Sequence, residues 1–352
     1  MTKVSVVIPT YNAKKYIGKC INSVTVGMTD KEKNDVEIIV VDDGSTDNSK
    51  LELERIEDKY KGNLTIVNNH HAGAGAARNK GIELASGKYI KFLDADDTLV
   101  PGTLMKMCDI ADDQRVSLVK GDYNYCIGPV KIKNSNNWSR KPLSVGLIDI
   151  SEDRDQIVTE YPNIGNKLFS RELIGDIRFP EQVKWEDLSF VPTVMAKSGI
   201  MYNMGEPVYN YRIHLNTTVS DFIKPIPDIY DIIKVLDVLK AEMEKNGLTV
   251  DYAEQIESLY IIHTLYRVEN AMTWKFFSNS RKKIIISSLL AILDVKYPGW
   301  ENNRMVALYK EKMPGFRKHM NSIPKYVDPE FRGETDLELM EPIIGSQFMK
   351  IR

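Results

Sequence analysis

The strongest constraint on the fold is a rhythm in the first 125 residues, where short apolar runs alternate with stretches of helical spacing. "VSVVIP" (4–9) is an apolar run closed by proline, and "NAKKYIGKCINSV" after it carries Ile17, Cys20, Ile21 and Val24 at helical spacing. "VEIIVVDDGSTD" is a second buried strand running into a polar turn, in which Asp47 is placed to cap the next helix. "LTIVNN" is a third strand. "GAGAARNKGIELASG" reads as a glycine loop, a helix and a stop at Gly87. "KYIKFLDADD" is a fourth strand and "SLVKGDYNY" a fifth. Such alternation predicts an α/β fold, Rossmann-like, with a mostly parallel central sheet covered on both faces.

Ligands of these sheets bind outside the carboxyl ends of the strands. The polar residues gather there: Thr10, Tyr11 and Asn12 after the first strand, Asp42 and Asp43 after the second, Asp94, Asp96 and Asp97 after the fourth. Carboxylates suit hard cations such as Mg²⁺ or Mn²⁺, which keep few protein ligands and take the rest from water and substrate phosphates. Asp94 and Asp96 therefore form a reasonable half-site for a metal–diphosphate complex, although an isolated Asp-x-Asp equally caps a turn. Asp43 can accept from a base N–H or a ribose hydroxyl, or it belongs to a plain Asp-Gly turn. The glycines of "GAGAARN" do not follow the first strand, so a dinucleotide fingerprint is not met. They still allow Arg78 to approach a phosphate, against the plainer reading of a surface ion pair. In "WEDLSF", Glu186 and Asp187 point in different directions on a helix and should have different duties. One of them can act as a general base, or both simply favour the helix dipole. His214 follows the aromatic "YNYRI", either as a structural histidine or near a metal.

Composition narrows the class. Apolar residues make up 43% and charged residues 27%, with a net charge of −2, so nothing points to nucleic acid. Cys20, Cys108 and Cys126 are odd in number and never paired as CxxC, which fits a reducing, cytoplasmic compartment. "MTK" leads directly into "VSVVIP" with no signal-peptide core, and "IIISSLLAIL" (284–293) is about half a membrane span, hence a buried helix.

"VSVVIPTYNAKKYIGKCINSV", "VVDDGSTDNS", "GAGAARNKGIELASGKYIKFLDADD", "NKLFSREL" and "WEDLSF" occur in an order that resembles family 2 glycosyltransferases of the GT-A fold, over about residues 3–220. The resemblance implies a nucleotide-sugar donor, UDP by default, and inversion at the anomeric carbon. By position, Pro9, Thr10, Tyr11 and Asp43 match the nucleoside pocket, and Arg78 lies near the nucleotide or diphosphate. Asp94 matches the ribose-side residue, Asp96 the Mn²⁺ or Mg²⁺ ligand, and Asp187 the base. His214 falls in a segment like the one that returns over the diphosphate, as a second metal ligand. The ten residues "VGMTDKEKND" depart from the short turn usual before the second strand. No QxxRW-type motif is present, so single-sugar transfer is expected.

Residues 1–220 are thus expected to form the catalytic domain. Residues 221–352 form a mainly helical region, with "KPIPD" (224–228) as linker. Residues 275–325 hold 11 Lys/Arg against 3 Asp/Glu, either a solvated face or a peripheral contact with the inner membrane leaflet or an anionic acceptor. Apolar stripes there pack onto the catalytic domain or between subunits of a homo-oligomer. "KYPGWENN" is similar to tails of bacterial capsule, exopolysaccharide and teichoic-acid-type transferases, which suggests a glycan or lipid-linked saccharide acceptor. The rivals are a catalytically silent sugar-nucleotide or glycan-binding module, a nucleotidyltransferase and a glycosidase. The first predicts loss of the base or metal ligand, the second a glycine- and lysine-bearing loop where "TYN" stands, and the third has no use for a nucleotide pocket.

Overall fold

A computed structural model describes residues 2–60, 62–134, 143–214, 230–273 and 278–327. The chain divides into two compact units, 1–214 with 237–252, and 215–236 with 253–352. The expected linker at 224–228 and the 220/221 boundary lie outside the described residues.

The first unit is built on one mixed sheet. Its strands are β1 (Val4–Thr10), β2 (Val36–Asp42), β3 (Leu64–Asn68), β4 (Tyr89–Phe92), β5 (Thr98–Leu99), β6 (Leu118–Ile127), β7 (Val130–Asn134), β8 (Gly146–Asp149), β9 (Lys167–Ser170) and β10 (Ile200–Arg212). They run in the order β3-β2-β1-β4-β9-β6-β10-β5, with β7 beside β6 and β8 beside β10. The four leading strands are parallel; the apolar runs of β1, β2 and β4 are buried as the sequence requires, while in β3 only Leu64 is buried and Ile66 and Val67 are partly so. β9 is antiparallel to both β4 and β6, and it joins the parallel half to the parallel β6–β10 pair.

Pro9 shows how closely sequence and ladder agree. The Val7 carbonyl accepts from Leu93 on the β4 side, so the next residue facing that side is Pro9. β4 pairing stops at Val7, and the missing proline N–H leaves no rung unfilled.

The glycines of "GAGAARNKG" serve packing, not a phosphate loop. Gly73–Leu84 is helical throughout. A Cβ at Gly75 would stand 2.1 Å from the Pro180 carbonyl oxygen, and one at Gly81 would stand 2.1 Å from a Val7 methyl. The helix therefore seats against β1 and the 179–182 segment with no room for a side chain. This corrects the glycine-loop reading.

In the second unit, helices Ala253–Thr273, Asn279–Lys296, Arg304–Lys312 and Pro314–Met320 pack on one another. Ile285, Ile286, Leu289 and Leu293 of the "IIISSLLAIL" run are buried, as expected of a core helix. Among the described residues, no helix is long and apolar enough to cross a membrane.

Candidate active site

The carboxyl ends of β1, β2 and β4 and the end of β10 meet at one rim. β4 stops at Phe92, so Asp94, Asp96 and Asp97 lie in the loop that follows rather than on a strand face. The three carboxylates then take different partners.

Asp97 is buried and fully answered by the protein. Its Oδ2 accepts from the Tyr209 hydroxyl at 2.7 Å and its Oδ1 from the Arg212 N–H at 2.6 Å. The same Tyr209 hydroxyl accepts from the Asp94 N–H at 3.2 Å. Tyr209 thus pins the aspartate loop to β10. Burial, followed by the charges of Asp96 and Asp94, pushes the Asp97 carboxyl well above the usual range.

Asp94 turns to Arg78. The guanidinium, on the helix Gly73–Leu84, donates from Nη2 to Asp94 Oδ1 at 2.7 Å and from Nη1 to Glu186 Oε1. Arg78 is 5% exposed and its charge centre lies 5.5 Å from the Phe179 ring centroid, which overturns the surface-ion-pair reading. Burial works against its charge, but the two carboxylates outweigh it and raise its pKa. The pair joins three elements distant in sequence: the helix, the loop after β4, and the start of helix Asp187–Ser198.

Asp96 faces the other way. Its Oδ2 is 2.9 Å from His214 Nε2, and the His214 ring stacks on Tyr16 at 4.8 Å. The Arg212 guanidinium lies 5.1 Å from the centroid of the same tyrosine. Desolvation, then the charge of Asp94, raises the Asp96 pKa, while His214 opposes the rise. Asp96 and His214 are a pair of hard and borderline donors. Among the described residues no group of three His, Cys, Asp or Glu side chains could hold a metal. The donor set therefore suits a cation that draws its remaining ligands from water and a diphosphate, as Mg²⁺ and Mn²⁺ do.

Asp187 opens its helix, half-buried, beside this cluster. Desolvation first and Glu186 second push its carboxyl up to about 7, against the pull of Arg78 and Lys167. A carboxylate so placed is poised to take a proton near neutral pH. The turn ahead of it holds Gln182 (φ 56°) and Trp185 (φ 63°) in the left-handed region, a backbone cost typical of constrained sites.

The expected nucleoside residues line the β1–β2 side. Asn12, at φ 51°, accepts from the Thr46 and Asp47 N–H groups at 2.8 and 3.1 Å and ties the two strand ends together. Thr10 is buried, and its carbonyl accepts from the Asp43 N–H at 2.8 Å. Tyr11 is 47% exposed, its ring 4.5 Å from that of His71. Asp43 has a structural duty besides any ligand: Oδ1 accepts from the Ala72 N–H (2.9 Å) and Asn69 (2.8 Å), Oδ2 from the Gly73 N–H (2.8 Å). It thereby satisfies orphan donors at the start of the arginine-bearing helix. Asp47 accepts from the Ser49 N–H at 2.8 Å at the start of the helix Ser49–Glu57, the capping duty expected of it.

Sequence reasoning missed Tyr209, Tyr16 and His71, and it did not foresee Glu186 as the partner of Arg78. Only the "ED" spacing hinted at the last, since neighbouring residues on a helix cannot share one duty.

The model of the family described as Glycosyl transferase family 2 matches residues 5–177. An uncharacterized glycosyltransferase of Haemophilus influenzae is 30% identical over 208 residues, 58% of this chain and 76% of that protein. The minor teichoic acid biosynthesis protein GgaB of Bacillus subtilis is 27% identical over 215 residues, 59% of this chain but only 23% of GgaB. The poly(ribitol-phosphate) beta-N-acetylglucosaminyltransferase TarS of Staphylococcus aureus is 26% identical over 257 residues, 70% of this chain and 42% of TarS. The chain thus spans less than half the length of either of the last two. The crystal structure of TarS 1–349 in complex with UDP-GlcNAc aligns with a TM-score of 0.53 at 18% identity, covering 99% of this chain and 88% of that one. GalNAc-T7 with UDP, GalNAc and Mn²⁺ aligns with a TM-score of 0.52 at 17% identity, covering 73% and 51%. These likenesses agree with the GT-A-type α/β expectation.

Proposed function

Because this chain belongs to glycosyl transferase family 2 and is a glycosyltransferase, we propose that it moves a single sugar, with inversion, from a UDP-sugar to a hydroxyl of a surface glycan or lipid-linked saccharide. The observation that carries this reading is the placement of Asp187, raised to about 7, beside a cluster that also holds Arg78, Asp94 and the Asp96–His214 pair.

In this reading Asp187 removes the proton from the acceptor hydroxyl. The acceptor oxygen forms a bond to the anomeric carbon as the bond to the diphosphate oxygen breaks, so one displacement inverts the centre. Arg78 and Glu186 fix the start of the Asp187 helix against the aspartate loop. Tyr11, Thr10 and Asp43 border the nucleoside, with Pro9 supporting them in β1. Asp96 and His214 would hold the Mn²⁺ or Mg²⁺, whose charge offsets that of the departing nucleoside diphosphate. GalNAc-T7 with Mn²⁺ and TarS with UDP-GlcNAc support the donor side. The names of GgaB and TarS support an acceptor among phosphate-bearing wall polymers.

Asp187→Asn tests the assignment. It should bind UDP as the wild type does while transfer falls by about 10³-fold, within the range that loss of a general base usually costs. Full transfer by that variant would remove the base from Asp187.

A further inference from the structure

A second site emerges at the opposite end of the sheet. A cavity of about 780 Å³ lies where β2 and β3 begin, with Val36 and Ile38 in its lining. Ligand pockets span about 300–1,000 Å³. The seven residues of β2 separate it from the aspartate rim by about 20 Å, at roughly 3.3 Å per residue.

The inserted "VGMTDKEKND" builds one wall. A capping box orders it into the short helix Asp30–Asn34: the Thr29 N–H donates to Glu32 Oε2 at 2.7 Å, and the Glu32 N–H to Thr29 Oγ1 at 3.3 Å. The Asn63 amide fastens this wall to the start of β3, donating to the Lys33 carbonyl at 2.9 Å. Across the cavity, Asn22 Oδ1 accepts from Lys59 Nζ at 2.6 Å and from the Tyr60 hydroxyl at 2.8 Å.

We propose that this cavity is a secondary binding site for an anionic, polyhydroxylated segment of the acceptor glycan, remote from the point of transfer. The lining supplies the chemistry such a ligand needs. Asn22, Asn63 and the Tyr60 hydroxyl bond within the wall but are polar groups for which a ligand hydroxyl can compete, the tyrosine ring and the half-exposed Val26 give an apolar surface, and Lys33 and Lys59 are two cations, Lys59 resting on Asn22. Among the described residues, Lys33 pairs with Asp30 at 2.8 Å, through side chains that are 43% and 97% exposed. So open a pair contributes little and exchanges readily for a ligand anion. A polymer held here is tethered near the transfer site, which raises its effective concentration there. The inference deepens the acceptor side of the proposed function and is independent of the donor side.

The test is calorimetric titration of the full chain with short poly(glycerol phosphate), beside parallel titrations with UDP and Mn²⁺, inorganic phosphate, and maltoheptaose as a neutral polyol. The proposal expects saturable polymer binding, weakened about tenfold in Lys33→Ala/Lys59→Ala, with UDP binding unchanged. Tyr60→Phe, which keeps the ring and removes the hydroxyl, should weaken the polymer by a smaller factor. Three results would overturn it: no saturable polymer binding by a chain that still binds UDP, equal affinity in the double variant, or inorganic phosphate or maltoheptaose binding as tightly as the polymer. Polymer binding without UDP binding supports the pocket and counts against the donor reading alone.

Discussion

Asp187 and Arg78 define the site at the scale of single residues, and each has a measurable consequence. The Asp187 carboxyl titrates near 7 against an ordinary 3.8, so the folded chain retains a proton between those values that the unfolded chain has released. The sign follows: this group lowers stability as pH rises through the window, and the loss is complete above about 7. As the proposed base, meanwhile, Asp187 would be competent only when deprotonated. The acid limb of kcat/KM should therefore fall near pH 7 in the wild type, as measured by initial rates across pH. A limb near 4 would show that another group, or an unperturbed carboxylate, takes the proton. Arg78 offers a stability test. Arg78→Met leaves Asp94 and Glu186 facing each other without their shared cation, and breaking a buried pair in this way costs about 3–5 kcal/mol. Chemical denaturation should show a loss of that size, and a loss below about 1 kcal/mol would mean the pair behaves like an exposed one.

Elements bring these residues together by close approach. The helix Gly73–Leu84 carries Arg78 to Asp94 because Gly81 lets it lie on Val7. Gly81→Ala forces a methyl into that contact and should destabilise the fold by about 1–3 kcal/mol, as overpacking does. A thermal melt unchanged by the substitution would contradict that account of the helix seat. The parallel strands were legible because each is a short, mainly apolar run, and so was the gathering of Asp43, Asp94 and Asp96 at one rim, which follows from strand direction. The glycines misled because a glycine that permits close packing and a glycine that opens a loop look alike in sequence. β9 was hidden for another reason: four residues, Lys167–Ser170, form an antiparallel strand through two partners, β4 and β6, that both lie more than 40 residues earlier in the chain. Tyr209 escaped notice likewise, since a hydroxyl serving both Asp97 and Asp94 is visible only once β10 is laid beside the loop.

For the whole molecule, the sheet places the candidate site at its carboxyl rim and the inserted turn and its cavity at the opposite end. The basic excess of the helical unit is partly engaged within that unit: Arg304 pairs with Glu254 at 2.8 Å, and Lys296 lies 5.2 Å from the Tyr260 ring centroid. Negative charge at the rim remains the larger anomaly. Asp97 is answered by Tyr209 and Arg212, and Asp94 by Arg78, but Asp96 keeps a raised pKa with His214 as its partner. A bound cation and nucleotide would complete that balance. The most direct test is calorimetric titration of UDP, GDP and their sugar conjugates, with and without Mn²⁺, on the wild type and Asp96→Ala. The account predicts UDP-sugar binding that requires Mn²⁺ and is lost in Asp96→Ala. A folded wild-type chain that binds no nucleotide, or a variant that binds as tightly as the wild type, would contradict it.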